Sequence, residues 1–113
     1  MIDAIFRLGD AVRYVAVYRD GELEMRSRDG TAGASSSETD RYEELLVNPT
    51  LLKLASQRGN IDCGGLDSLL VRYGNFYTYA LPTPWGHVAV GIELDADAIG
   101  LGHQIDDVVR NES

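Results

Sequence analysis

The sequence predicts an α+β fold: a five-stranded antiparallel sheet with helices packed on it. Three observations carry this. Leu66 to Leu94 reads LDSLLVRYGNFYTYALPTPWGHVAVGIEL, three short runs rich in β-branched and aromatic residues, parted by Gly-Asn and by Pro-Thr-Pro-Trp-Gly. Such residues favour a pleated, half-buried surface, and short turn-rich breaks between them predict an antiparallel meander. Arg13 to Arg28, RYVAVYRDGELEMRSR, places Asp-Gly between two extended runs, the pattern of a tight hairpin. The segments before, between and after these runs carry helical spacing instead.

Taken in order, Met1 to Val12 puts Ile2, Ile5 and Phe6 on one side with Asp3 near the start, a short amphipathic helix that must dock on something because it is too short to hold alone. In the hairpin, Tyr14, Ala16 and Tyr18 point one way and Val15 and Val17 the other. Both sides are partly apolar, so this strand belongs inside the sheet. Its partner alternates Leu23 and Met25 with Glu22, Glu24 and Arg26; one wet face suits an outer strand. Residues 29–39, DGTAGASSSET, have no periodicity and read as a flexible loop. They lack the spacing of a phosphate-binding loop.

Asp40 to Gly59 is helical in composition, with Tyr42, Leu45 and Leu46 forming one apolar stripe and Leu51, Leu52, Leu54 and Ala55 another. Asn48-Pro49 lies between them. Proline disfavours helical geometry in the residue before it, and Asn followed by Pro suits a new helix start, so two pieces broken at Asn48 are expected, ending at Gly59-Asn60. In the meander, Gly74-Asn75 is expected to turn through positive φ. Val88, Val90 and Ile92 share one face there, while Ala89 and Gly91 share the other and would let a helix come close. Asp95 is the expected cap of a closing helix, Ala96 to Val109, whose first half Gly100 and Gly102 weaken. The order is α-β-β-α(broken)-β-β-β-α, one domain over residues 1–113, with the connection through the broken helix crossing the sheet. One helical layer on one sheet would satisfy burial.

Bulk properties narrow the function. The 113 residues are 44% hydrophobic and 25% charged, with a net charge of -8; this acidity argues against nucleic acid or anionic membrane as a partner. One cysteine, no signal peptide and no long apolar run predict a cytoplasmic protein. Cys63 with His87 or His103 could suggest a nucleophile and base, but Asp62 beside the thiol opposes thiolate formation. Two histidines and one cysteine do not make a zinc site. His87, at the start of a strand, is expected to be solvated or edge-bonded, and His103 to sit near Asp106 and Asp107 on a helix surface. Glu43-Glu44 and Asp106-Asp107 are adjacent along helices and are not expected to share a face. No catalytic, cofactor or metal residue is expected, and no cofactor.

The blocks RGNIDCGG, RYGNFY and LPTPWGHV, set in this element order and length, resemble the roadblock / dynein light chain family, more narrowly a bacterial roadblock-like group with a longin- and profilin-related fold. The resemblance implies a homodimer whose sheets join beneath antiparallel helices, and a non-enzymatic scaffold or regulator acting with a small Ras-like GTPase. The family's middle helix is continuous, whereas Asn48-Pro49 interrupts this one, which puts the usual dimer seam in question. Aromatic and apolar residues on the middle helix and meander are the candidate interface: Tyr42, Leu45, Leu52, Tyr73, Tyr77 and Trp85. The alternative is a PAS-like small-ligand sensor with a pocket between sheet and helix, lined by the tyrosines and the Gly91 side.

Overall fold

The computed structural model describes residues 1–28 and 37–112. Among them the elements run α1 (Ile2–Phe6), β1 (Val12–Arg19), β2 (Glu22–Ser27), α2 (Ser37–Tyr42), a π-helical turn (Glu43–Val47), α3 (Asn48–Asp62), β3 (Leu69–Arg72), β4 (Tyr77–Thr83), β5 (Gly86–Ile92) and α4 (Ala98–Glu112). The five strands form one sheet in the order β2-β1-β5-β4-β3, each neighbour antiparallel. The expected fold class is the one observed. β1 is interior and β2 is an edge, as their alternation required. The β2-to-β3 connection carries the chain from one edge of the sheet to the other.

The β1–β2 turn is the tight hairpin its Asp-Gly predicts: Asp20 (φ 52) and Gly21 (φ 87) are both left-handed, the geometry that matches strand twist. Gly74-Asn75 turns without any left-handed residue, so the expectation of positive φ there was wrong. The left-handed glycines of this half are Gly64 and Gly65, which lead from α3 towards β3.

Helices cover both faces, not one. Val15, Val17, Tyr79, Leu81, Val88, Val90 and Ile92 meet Ile2 and Ile5 of α1 and Ala98, Ile105 and Val109 of α4 in the larger core. Ala16, Ala80 and Ala89 form the opposite face, where Leu52 of α3 is buried against them. The small residues foreseen at Ala89 and Gly91 do admit a helix. A second layer follows because both faces of β1, β4 and β5 are apolar, and each must be covered.

The helix ends depart from expectation in consistent ways. α1 stops at Phe6, since Val12 already pairs with Ile92. α3 continues past Gly59-Asn60 to Asp62, with the Cys63 N–H donating to the Gly59 carbonyl and Gly64 making the left-handed exit. Asp97, not Asp95, caps α4: its Oδ1 accepts the Gly100 N–H at 3.0 Å. The first turn of α2, Ser37–Thr39, was expected to be loop; the rest of that expected loop, 29–36, lies outside the described residues. Gly102 also has a positive role. A Cβ there would stand 2.6 Å from the Tyr79 ring, so glycine is what lets α4 lie on β4.

Candidate functional site

The middle helix does not break at Asn48-Pro49. Asn48 is helical (φ -63, ψ -44), and its N–H donates to the Glu43 carbonyl, five residues back. In a regular α-helix the proline ring would press on the carbonyl four residues earlier, and its missing N–H would leave an acceptor open. The wider turn gives the ring room. The Thr50 hydroxyl donates to the Leu46 carbonyl at 2.6 Å, adding a side-chain donor just beyond the proline. α2 and α3 are therefore one helical rod with an extra residue inserted in it.

That inserted residue sets the phase of everything along the rod. Tyr42 and Ile61 are nineteen positions apart, about 5.3 turns at 3.6 residues per turn. With one residue absorbed by the π turn the separation becomes about five whole turns. Tyr42, Leu46, Leu54 and Ile61, respectively 59%, 52%, 59% and 76% exposed, thus fall on one outward line. Glu44, Asn48, Leu52 and Gly59 fall on the inward one, all buried. Gly59 is the closest point: a Cβ there would meet the Gly65 carbonyl carbon at 2.9 Å.

Beneath the π turn lies a buried polar cluster. Glu44 is wholly buried. It accepts hydrogen bonds from the Tyr14 hydroxyl (2.9 Å) and the Asn48 amide (3.0 Å), and its Oε1 lies 2.9 Å from His87 Nε2, within hydrogen-bond distance. His87 stacks on Tyr18. Each partner comes from a different place: β1, the start of α3, and β5. One row over, Glu43 accepts from the Tyr73 hydroxyl at 3.0 Å. Both carboxylates therefore face the sheet, against expectation, because the widened turn lets neighbouring residues reach different strands. Burial, with the Glu44 carboxylate close by, drives the Tyr14 phenol pKa far up; burial and Glu43 push that of Tyr73 up to about 12. Burial comes first, reinforced by neighbouring carboxylates, in raising the carboxyl pKa values of Asp40 and Glu43.

Next to this cluster the sheet and α2 enclose a cavity of about 320 Å³. Its floor is a cross-strand row of Ser27, Tyr14, Gly91 and Thr78, in register across four strands. Small residues at three of these four positions create the space. Tyr73 and Phe76 form a wall, and Arg13 lies with its guanidinium 5.1 Å from the Phe76 ring centre while pairing with Glu93 at 3.1 Å. Asp40, Glu43 and Glu44 line it from the helix, and the exposed Tyr42 borders it too.

The predicted interface residues separate. Tyr42 and Leu45 are exposed on the rod. Leu52 is buried against Ala16, Ala80 and Ala89, so it cannot meet a partner; the inserted residue turns it inward. Tyr73 lines the cavity. Tyr77 packs on the α1/α4 side, the same face as Tyr79, and Trp85 is half-buried with the Arg19 guanidinium 4.2 Å from its ring centre. Cys63 is exposed, its thiol donating to Asp62 at 3.4 Å, while His87 is engaged by Glu44 and Tyr18. Among the described residues no three His, Cys, Asp or Glu side chains are grouped to hold a metal. His87 and Glu44 were missed. The signal was present: His87 shares the period of Ala89 and Gly91, the face meant for a helix, and Glu44 and Asn48 stand one turn apart.

No family model matches the sequence, and no curated protein matches it. Among solved structures the chain is similar to the crystal structure of MglC from Myxococcus xanthus, with a TM-score of 0.57 at 15% identity over 98% of this chain and 94% of that one. The fold is roadblock-like. Within the roadblock-like frame this chain keeps an unbroken middle helix, and the π turn is the device by which it accommodates Asn48-Pro49. Among the described residues no helix is long and apolar enough to cross a membrane.

Proposed function

We propose that this chain, 1–113 as one unit, is a non-enzymatic interaction module of roadblock type that self-associates and acts through a partner protein in the cytoplasm. The observation that supports it most is the outward line of Tyr42, Leu46, Leu54 and Ile61 on a continuous rod. Isolated exposed apolar residues are common, but four aligned along one side of a helix, with exposed Thr50 and Arg58 between them, offer a partner a line of apolar contacts. The sheet ends in β3, an edge strand of four residues whose Leu69 lies on the same face as α3. An open edge beside an apolar helix suits a second copy related by a two-fold axis, edge to edge and helix to helix. The helix runs on through Asn48-Pro49, which gives a helix-to-helix contact a continuous rod to use.

A small Ras-like GTPase is the partner class that the family resemblance implies. The module would work on it by favouring one conformation, with no chemistry of its own. Sedimentation velocity over a concentration series tests self-association: a dimer is expected in the wild type and a monomer in Leu54→Glu at equal helicity. A wild-type monomer at high micromolar concentration overturns the reading. For the partner, tagged protein is used to capture host proteins in the presence of GDP or a GTP analogue; enrichment of a GTPase that Leu54→Glu or a cavity variant weakens supports it.

The cavity gives a specific reason for a second reading, a small-ligand sensor. Its volume falls in the range of ligand pockets; of the lining the sequence pointed to, Tyr73 and Gly91 are there, joined by Tyr14, Tyr42 and Phe76, while Tyr77 and Tyr79 lie on the other face. The two readings are compatible, since Tyr42 belongs to both the stripe and the cavity.

A further inference from the structure

Building on the reading of the cavity as a ligand site, we infer that its ligand is a small organic cation, an alkylammonium compound. Two independent features of the lining agree. First, the walls are aromatic: Tyr14, Tyr73 and Phe76 line one half-open cavity, and an ammonium group is attracted to ring faces. Secondly, the charge of the lining is unbalanced. Asp40, Glu43 and Glu44 all contribute to it, while its one guanidinium, Arg13, already pairs with Glu93 and lies over Phe76.

The carboxylates are strained in the sense a cation relieves. Asp40 and Glu43 are held near Glu44 in a partly buried setting, and both resist ionisation more than a solvated carboxyl does. An anion or a neutral sugar would worsen or ignore this; a metal ion would find no grouping of ligands among the described residues. The space is also too apolar in its walls for a strongly hydrated cation. A methylated or otherwise alkylated ammonium, weakly hydrated and matched to aromatic surface, fits both demands.

The experiment uses the full chain and two probes of the same shape: choline and its uncharged carbon isostere 3,3-dimethylbutan-1-ol. Binding is read by the shift of the Phe76 and Thr78 resonances in NMR titrations, with isothermal titration calorimetry for affinity. Choline is expected to move these resonances saturably and to bind at least tenfold more tightly than the isostere. Asp40→Asn with Glu43→Gln, which keeps an acceptor for the Tyr73 hydroxyl, is expected to weaken choline at least tenfold and leave the isostere unchanged. Equal binding of both probes, unaffected by the double variant, would overturn the cationic assignment while leaving a ligand cavity in place. No saturable shift with either probe, together with a ligand-free mass for the protein isolated from its host, would overturn the ligand reading as well.

Discussion

Glu44 is the residue on which the inner face of the rod depends. A buried carboxylate is costly to desolvate, and this one is tolerated because Tyr14, Asn48 and His87 all converge on it. Glu44→Ala leaves two donors and a histidine without their shared acceptor, and the loss is expected to be about 3 kcal/mol or more, seen as a lowered urea midpoint. An unchanged midpoint would mean that water replaces the carboxylate at no cost. The phenols give a pH test. Tyr73 and Tyr79 have pKa values pushed up to about 12, chiefly by burial, with Tyr79 also donating to buried Asp106 at 2.8 Å. Between about pH 10 and 12 the unfolded chain loses these protons while the folded chain keeps them. Stability is therefore expected to fall as pH rises through that window. Tyr79→Phe, which cannot ionise, should flatten the fall, and a slope unaltered by the substitution would place its origin elsewhere.

At the scale of the element, the π turn makes a prediction that no regular helix would. Deleting Leu45, inside the widened turn, returns the rod to α geometry without moving Tyr42 relative to Ile61 or Asp40 relative to Leu52. The cost should stay within about 1–2 kcal/mol, the range of ordinary single changes. Deleting Gln57 instead rotates the end of α3 by about 100° and brings a side chain where only Gly59 fits against Gly65. Thermal melts by circular dichroism should show a modest shift for the first deletion and gross loss for the second; matched losses would rule the phase argument out. The rod is also where the sequence was least legible. Asn48-Pro49 carries a true local preference for a break, and local rules had nothing to set against it. What decides is tertiary: Glu44, Asn48 and Leu52 all gain sheet contacts only if the helix runs on, and the inserted residue is what lets all three do so. By contrast, strand periods and the Asp20-Gly21 turn are local signals with no competitor, and they placed β1, β2 and β5 correctly. The cavity was partly visible, since Gly91 and Tyr73 line it while Tyr77 and Tyr79 face the other way; Glu43 and Glu44 reach it from the turn that local rules could not foresee.

For the whole molecule, charge sets how copies meet. At -8 per chain, two copies repel, and the repulsion is screened by salt. If the apolar stripe and β3 form the contact, association should strengthen as salt rises from about 0.02 to 0.5 M, a range over which the screening length shrinks several-fold. Sedimentation equilibrium across that range measures it. Weaker association at high salt would point to ion pairs, and hence to another surface. The two cores are unequal as well. Among the described residues the α1/α4 side gathers thirteen buried hydrophobic ones, while the other face joins α3 to the sheet through Ala16, Ala80, Ala89 and Leu52 plus the polar cluster.

This inequality means that the molecule need not open all at once. The slab formed by β1, β5, β4, α1 and α4 retains most of its apolar burial if the rod lifts away, whereas the rod alone retains almost none. Amide protons of α3 are therefore expected to exchange with deuterium through a partial opening, well before those of β1 and β5, which wait for global unfolding. Equal protection throughout would show a single cooperative unit. If the rod does open first, the surface offered to a partner sits on the most loosely anchored layer, and binding there would be felt as added protection over the whole middle helix.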